Sequence, residues 1–125
     1  MFNAPEGWTV TDSAAASGPV RLVEVRVFRL VREYDPARRL AAARELDGAA
    51  ARLAAQLRGT VASRRWLVVG GLDARSYTIA YAGKSSQITF VLDGRREYEL
   101  LCRRPAGADD GPCVELLRSF ALRNA

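Results

Sequence analysis

Apolar and polar residues alternate along much of this chain, and the places where the period changes mark its elements. From Val20 to Arg32, Val23, Val25 and Val27 fall on one side of an extended chain, while Phe28 and Leu30 fall on the other with Glu24 and Arg26. That pattern predicts a long strand, buried on both faces toward its end. Before it, Gly7 to Thr11 alternates briefly and predicts an opening strand, and Asp12 to Pro19 reads as a small-residue linker.

The period then lengthens. Asp35-Pro36 is a helix start, with an N-cap carboxylate followed by a proline suited to the first helical position. Leu40, Ala43, Leu46 or Asp47, Ala50, Leu53 and Leu57 recur at spacings of three and four, which predicts a helix to about Arg58 with one Leu/Ala stripe. Gly59 follows as its C-terminal cap.

The second half returns to alternation. Arg65 to Val69 is a short β-prone run stopped by Gly70-Gly71, where a bulge or a tight bend is expected, and Arg75 to Ala82 places Tyr77, Ile79 and Tyr81 on one face. Gly83-Lys84 turns the chain, Gln87 to Leu92 alternates again, and Asp93-Gly94 is a hairpin signal leading into Tyr98, Leu100 and Cys102. Arg103 to Gly111 reads as a loop, and Asp110-Gly111-Pro112 starts a short helix over Cys113 to Ser119. Phe120 and Leu122 are expected to tuck into the core. Strand, strand, long helix, meander, short helix is the order of a single α+β domain, built as a mainly antiparallel sheet flanked by one long and one short helix.

Composition narrows the chemistry more than it widens it. At 125 residues and 49% hydrophobic the chain suits one globular domain with its own core. No apolar run reaches the roughly 18 residues of a membrane-spanning helix. There is no histidine, which removes the usual general base, zinc ligand and near-neutral pH switch. Basic residues outnumber acidic ones by 19 to 14, giving a net charge of +5 that favours anionic partners. The arginines are scattered along the whole chain, however, which argues against a dedicated nucleic-acid domain. The N-terminal residues lack the basic and apolar regions of a signal peptide, so the chain is expected to be either cytoplasmic or a mature domain from which such a segment has gone. Cys102 and Cys113 are the only cysteines, readable as one disulfide or as two small buried hydrophobes in a reducing compartment.

Several stretches taken together resemble the PsbP-like superfamily. They are the Gly7-Trp8 start, the Ala-rich helix, the Tyr77-Thr78-Ile79-Ala80-Tyr81 strand, the hairpin from Gln87 to Leu100 and the closing Leu116-Leu117-Arg118-Ser119-Phe120. The resemblance covers most of the chain and implies an α/β/α sandwich about a mainly antiparallel sheet. It also implies a secreted or cell-surface, non-enzymatic domain that binds a protein partner or ligand without a cofactor, as extrinsic photosystem proteins and a Ran-binding family do in that group. An extracytoplasmic location favours the Cys102–Cys113 bridge. Metal sites of plant members have no matching motif here, and there is no lipobox cysteine.

A second reading, binding of an anionic polymer or phosphorylated ligand, rests on arginine pairs. The candidates are Arg64, Arg65, Arg95, Arg96, Arg103 and Arg104, with Arg38-Arg39 a further pair. Adjacent residues on a strand point to opposite faces, so such a pair meets one ligand only at a turn; elsewhere the ordinary reading is solvated, ion-paired surface. Arginine in a patch would hold phosphate, sulfated sugar or carboxylate in bidentate fashion. Glu97 and Glu99 share one strand face, and beside Arg95 and Arg103 they read as a charge-balanced exposed surface, not as paired catalytic carboxylates. Trp8, Trp66, Tyr77, Tyr81, Phe90 and Tyr98 read as core, and Gly70-Gly71 lacks the Lys-Ser/Thr of a phosphate loop.

Overall fold

The computed structural model describes residues 9–10, 14–18 and 20–124, with side chains from 14 to 120. Seven strands form one antiparallel sheet in the order β1-β2-β3-β7-β6-β5-β4. They are β1 (Thr9–Val10), β2 (Ala14–Ser17), β3 (Arg21–Arg29), β4 (Thr60–Val69), β5 (Leu72–Tyr81), β6 (Lys84–Asp93) and β7 (Arg96–Pro105). A 3-10 turn over Pro36–Arg38 leads into helix α1 (Arg39–Gln56), and α2 (Gly111–Asn124) closes the fold. No helix among the described residues is long and apolar enough to cross a membrane.

The last four strands form a meander because each is long and alternating and three two-residue turns that twist with the sheet join them. Between β4 and β5, Gly70 and Gly71 both have positive φ, 58° and 79°, a conformation in which a side chain is strained. Of the bulge and the tight bend expected at these glycines, the structure has the tight bend. The other turns fall one residue from where the pattern put them, at Ala82–Gly83 and Gly94–Arg95.

Alternation sends the two faces of the sheet to different helices. On one face Tyr77, Ile79, Ile88 and Leu92 pack against Leu46, Ala50 and Ala54 of α1. On the other, Val23, Val25, Ala74, Val91 and Leu100 pack against Cys113, Leu116 and Phe120 of α2. The predicted stripe of α1 holds at Ala43, Leu46 and Ala50, which are buried, and at Leu53 and Leu57, which are partly buried against the sheet; Ala54 joins it, and it fails only at Leu40, 76% exposed. Leu122 and Trp8 lie outside the described side chains.

α1 is fastened to the sheet by a polar cluster within this contact. Tyr77, 1% exposed, donates its hydroxyl to Asp47, which also takes two hydrogen bonds of 3.1 Å from the Arg75 guanidinium. Burial, reinforced by the bond to Asp47, pushes the Tyr77 hydroxyl up to about 12. Burial works against the charge of Arg75, but the bonds to Tyr77 and Asp47 outweigh it and hold that pKa above the ordinary value. Arg75 and Arg39 also lie over the Trp66 ring, at 5.4 and 4.4 Å from its centroid.

Four expectations are corrected. The small-residue stretch before β3 is not a linker: Ala14–Ser17 pairs with β3, and Ala15 is buried opposite Val23. Alanine carries too little contrast to show an alternating pattern. β3 is buried at its beginning, not its end: Val23 and Val25 lie in the core that α2 covers, whereas Val27 on the same face and Phe28 on the opposite face are 58% and 42% exposed. The α1 C-terminus is closed by Arg58, at φ 55°, with Gly59 donating to the Ala54 carbonyl; this is a Schellman end whose left-handed residue is not the glycine. Finally, α2 is a full helix of 14 residues and β7 runs on to Pro105, so the predicted loop shrinks to 106–110.

Cys102 near the end of β7 and Cys113 in the first turn of α2 are joined as a disulfide, their Cα atoms 5.4 Å apart. Both are buried in the α2-side core, so the bridge ties the helix to the strand it covers. Protein made under oxidising conditions is expected to show no free thiol when denatured, and to gain two hydrogens in intact mass on reduction. Two reactive thiols before reduction would contradict the bridge.

Candidate functional site

The residues most open to a partner gather at one end of the sheet. There β3 and β6 finish, β7 begins, and the 30–34 connection folds back over the β6–β7 turn. That connection is held by backbone hydrogen bonds from Leu30 N to Arg95 O at 2.6 Å and from Tyr34 N to Gly94 O at 2.8 Å. The Tyr34 hydroxyl reaches Asp73 at 2.6 Å, and burial followed by this bond pushes it up to about 12. Asp35 accepts from the Ala37 amide at 3.0 Å, so its predicted capping role is fulfilled at the 3-10 turn.

Two open grooves flank this connection. One, of about 460 Å³, lies between α1 and the sheet; Leu30, Ala42, Leu46 and Leu92 form its apolar side, and Glu45 and Glu97 its acidic side. The other, of about 470 Å³, is lined by Val27, Phe28, Arg29, Arg95 and Arg96. In the second groove Arg29 and Arg96 are direct cross-strand partners, so their side chains project from the same face. Arg95 sits in the adjoining turn, which lets the Arg95–Arg96 pair serve one groove where a pair within a strand would diverge.

Ion pairs among the described residues join Arg26 to Glu24, Arg75 to Asp47 and Arg118 to Glu115. None involves Arg29, Arg95 or Arg96. Asp93, the β6 residue opposite Arg96, is the carboxylate whose charge Arg96 feels, after the bond to Tyr98 that chiefly raises its pKa.

The other arginine candidates are elsewhere or occupied. Arg64 and Arg65 lie on the edge strand β4, with β5 and β6 between it and β7, and they point to opposite faces. Arg103 donates to the Val20 carbonyl at 2.7 Å, and Arg104 donates to the Ala108 carbonyl; both tie loops to the sheet. The six residues therefore do not form one patch. Arg29 had no place among them, because its role depends on the β3–β7 pairing; the only sequence signal was the spacing of three in Arg26, Arg29 and Arg32.

Glu97 and Glu99 depart from the exposed surface expected of them. β7 is a central strand, so both are half-buried between neighbours, facing Phe28 and Arg26 of β3 and Leu92 and Phe90 of β6. Burial first, then Glu99 and Glu45, raises the Glu97 pKa; burial also raises Glu99, opposed by Arg26. A carboxyl whose folded pKa is raised favours folding while protonated and loses that contribution as pH rises through the folded value. Glu97→Gln is accordingly expected to raise the melting temperature at neutral pH, with the gain disappearing below about pH 4, where the unfolded-state carboxyl is also protonated. An equal gain at both pH values would contradict the desolvated carboxylate.

Comparison of the chain with protein-family models and with curated proteins gave no match.

Proposed function

We propose that this chain is an extracytoplasmic, non-enzymatic interaction domain of the PsbP-like kind that takes an anionic partner at the Arg29–Arg95–Arg96 end. The observation that carries the reading is the set of three guanidinium groups lining one open groove beside two exposed apolar side chains, with none of the three in an ion pair among the described residues. Like charges directly opposite on neighbouring strands repel, and an anion between them converts that repulsion into attraction. Guanidinium groups suit phosphate, sulfate or carboxylate through paired N–H donors. A histidine-free chain supports binding over proton-transfer chemistry, and the bridge of Cys102 to Cys113 supports an oxidising compartment.

Chromatography on immobilised heparin tests this reading. Wild-type protein is expected to be retained at low salt and released as salt rises. The triple variant Arg29→Glu, Arg95→Glu, Arg96→Glu should elute early, while Arg64→Glu, Arg65→Glu should lose less retention despite its own charge reversal. Equal loss in both variants would mean that net charge alone governs retention, and the assignment of this end would fall.

A further inference from the structure

The arginine end also carries most of the exposed apolar surface. Of six large apolar side chains exposed among the described residues, five (Val27, Phe28, Val31, Leu40 and Val68) lie at this end, and only Val114 lies at the other. The placement follows from topology: β3 ends beside the start of β7, β4 ends in the same set of turns, and α1 begins there. Val31 is the extreme case, 98% exposed at the crest of the connection that is bonded to the β6–β7 turn. Acidic groups at the same end include Asp73, bonded by the Tyr34 hydroxyl, and Asp35, bonded by the Ala37 amide, with Glu33 against the β6–β7 turn and Asp93 opposite Arg96.

An apolar crest with guanidinium groups behind it fits one kind of anionic surface better than others. A soluble polyanion satisfies the arginines and leaves Val31, Val27 and Phe28 in water. A bilayer rich in anionic phospholipid offers phosphates at the level of the arginines and an apolar phase just below them. We infer that this end docks peripherally on an anionic phospholipid bilayer, with Val31 and Phe28 entering the interface and Arg29, Arg95 and Arg96 meeting lipid phosphates. The inference rests on the anion-binding reading above and specifies its partner.

Flotation of the full chain with vesicles tests it. Binding is expected to vesicles of equimolar phosphatidylcholine and phosphatidylglycerol, and not to phosphatidylcholine alone. Val31→Asp adds a charge to a fully exposed side chain, so folding is preserved, and it should weaken binding about tenfold or more through loss of one inserted apolar side chain. Val114→Asp, at the other end, should change little. Heparin retention of Val31→Asp should stay near wild type, since its arginines are intact. Retention on heparin without vesicle binding would overturn the lipid inference and leave the anion-binding reading standing. Loss of both would overturn both. Equal vesicle binding by the Val31 and Val114 variants would show that Val31 does not enter the bilayer and would overturn the inference.

Discussion

Replacing Asp47 by alanine is expected to lower stability by about 3–4 kcal/mol, from the cost of leaving a buried charge and a buried hydroxyl without their shared acceptor. Asp47 accepts from Tyr77 and from two nitrogens of Arg75, whose side chain is only 11% exposed. Without the carboxylate, Arg75 retains the 3.4 Å contact with the Tyr77 hydroxyl and its positions over the Trp66 and Tyr77 rings. Tyr77→Phe removes one donor and leaves the ion pair, so its cost should be nearer 1 kcal/mol. The double variant should fall short of the sum, because both changes act on the same carboxylate. Urea unfolding of the three proteins measures this, and a loss below about 1 kcal/mol for Asp47→Ala would show that solvent compensates the pair.

Gly59→Ala is the second large effect, expected at about 3 kcal/mol as an overpacking cost. A Cβ at Gly59 would stand 2.3 Å from the Ala80 carbonyl oxygen and 2.7 Å from the Tyr81 Cβ. Those atoms belong to β5, which is paired on both sides by β4 and β6 and cannot withdraw without breaking the ladder. The glycine is required here by close approach, whereas the left-handed residue at the same helix end is Arg58. Arg58→Gly is therefore expected to gain stability, by about 0.5–1 kcal/mol. Thermal denaturation of the two variants should move in opposite directions. A harmless Gly59→Ala would mean that α1 and β5 are further apart at this point than 2.3 Å implies.

The elements most legible in the sequence were those whose signal is local. Tyr77, Ile79 and Tyr81 alternate strictly, Asp93-Gly94 marks a turn chemically, and Asp35-Pro36 caps and starts a helix within a few residues. α1 was legible as a helix and in most of its buried face; Leu40 and Ala54 were misplaced because an alanine-rich sequence has weak contrast between buried and exposed positions. β2 was lost for the same reason: four small residues make a strand only because β3 offers a partner. Cys102 and Cys113 were legible as a possible pair, but whether they meet depends on how α2 returns over β7.

The candidate site was the least legible part. Arg95 and Arg96 stood out as adjacent residues, yet the groove needs Arg29, some 66 positions earlier, brought opposite Arg96 by strand pairing. Exposure at Val27 and Phe28, which point to opposite faces of β3, is likewise set by how far the elements packed on each face reach, which no periodicity within β3 encodes. Glu97 and Glu99 carried the same ambiguity. Charge suggested a solvated face, but the central place of β7 half-buries them.

The proposed anion site at one end of the fold can be examined residue by residue by amide NMR of the isotopically labelled chain titrated with a short sulfated oligosaccharide. Saturable shifts are expected only in Phe28 through Arg32 and Gly94 through Arg96, and they should be suppressed when Arg29, Arg95 and Arg96 are reversed in charge. Shifts spread equally over Arg64, Arg65, Arg103 and Arg104, or no saturable shift at all, would contradict it.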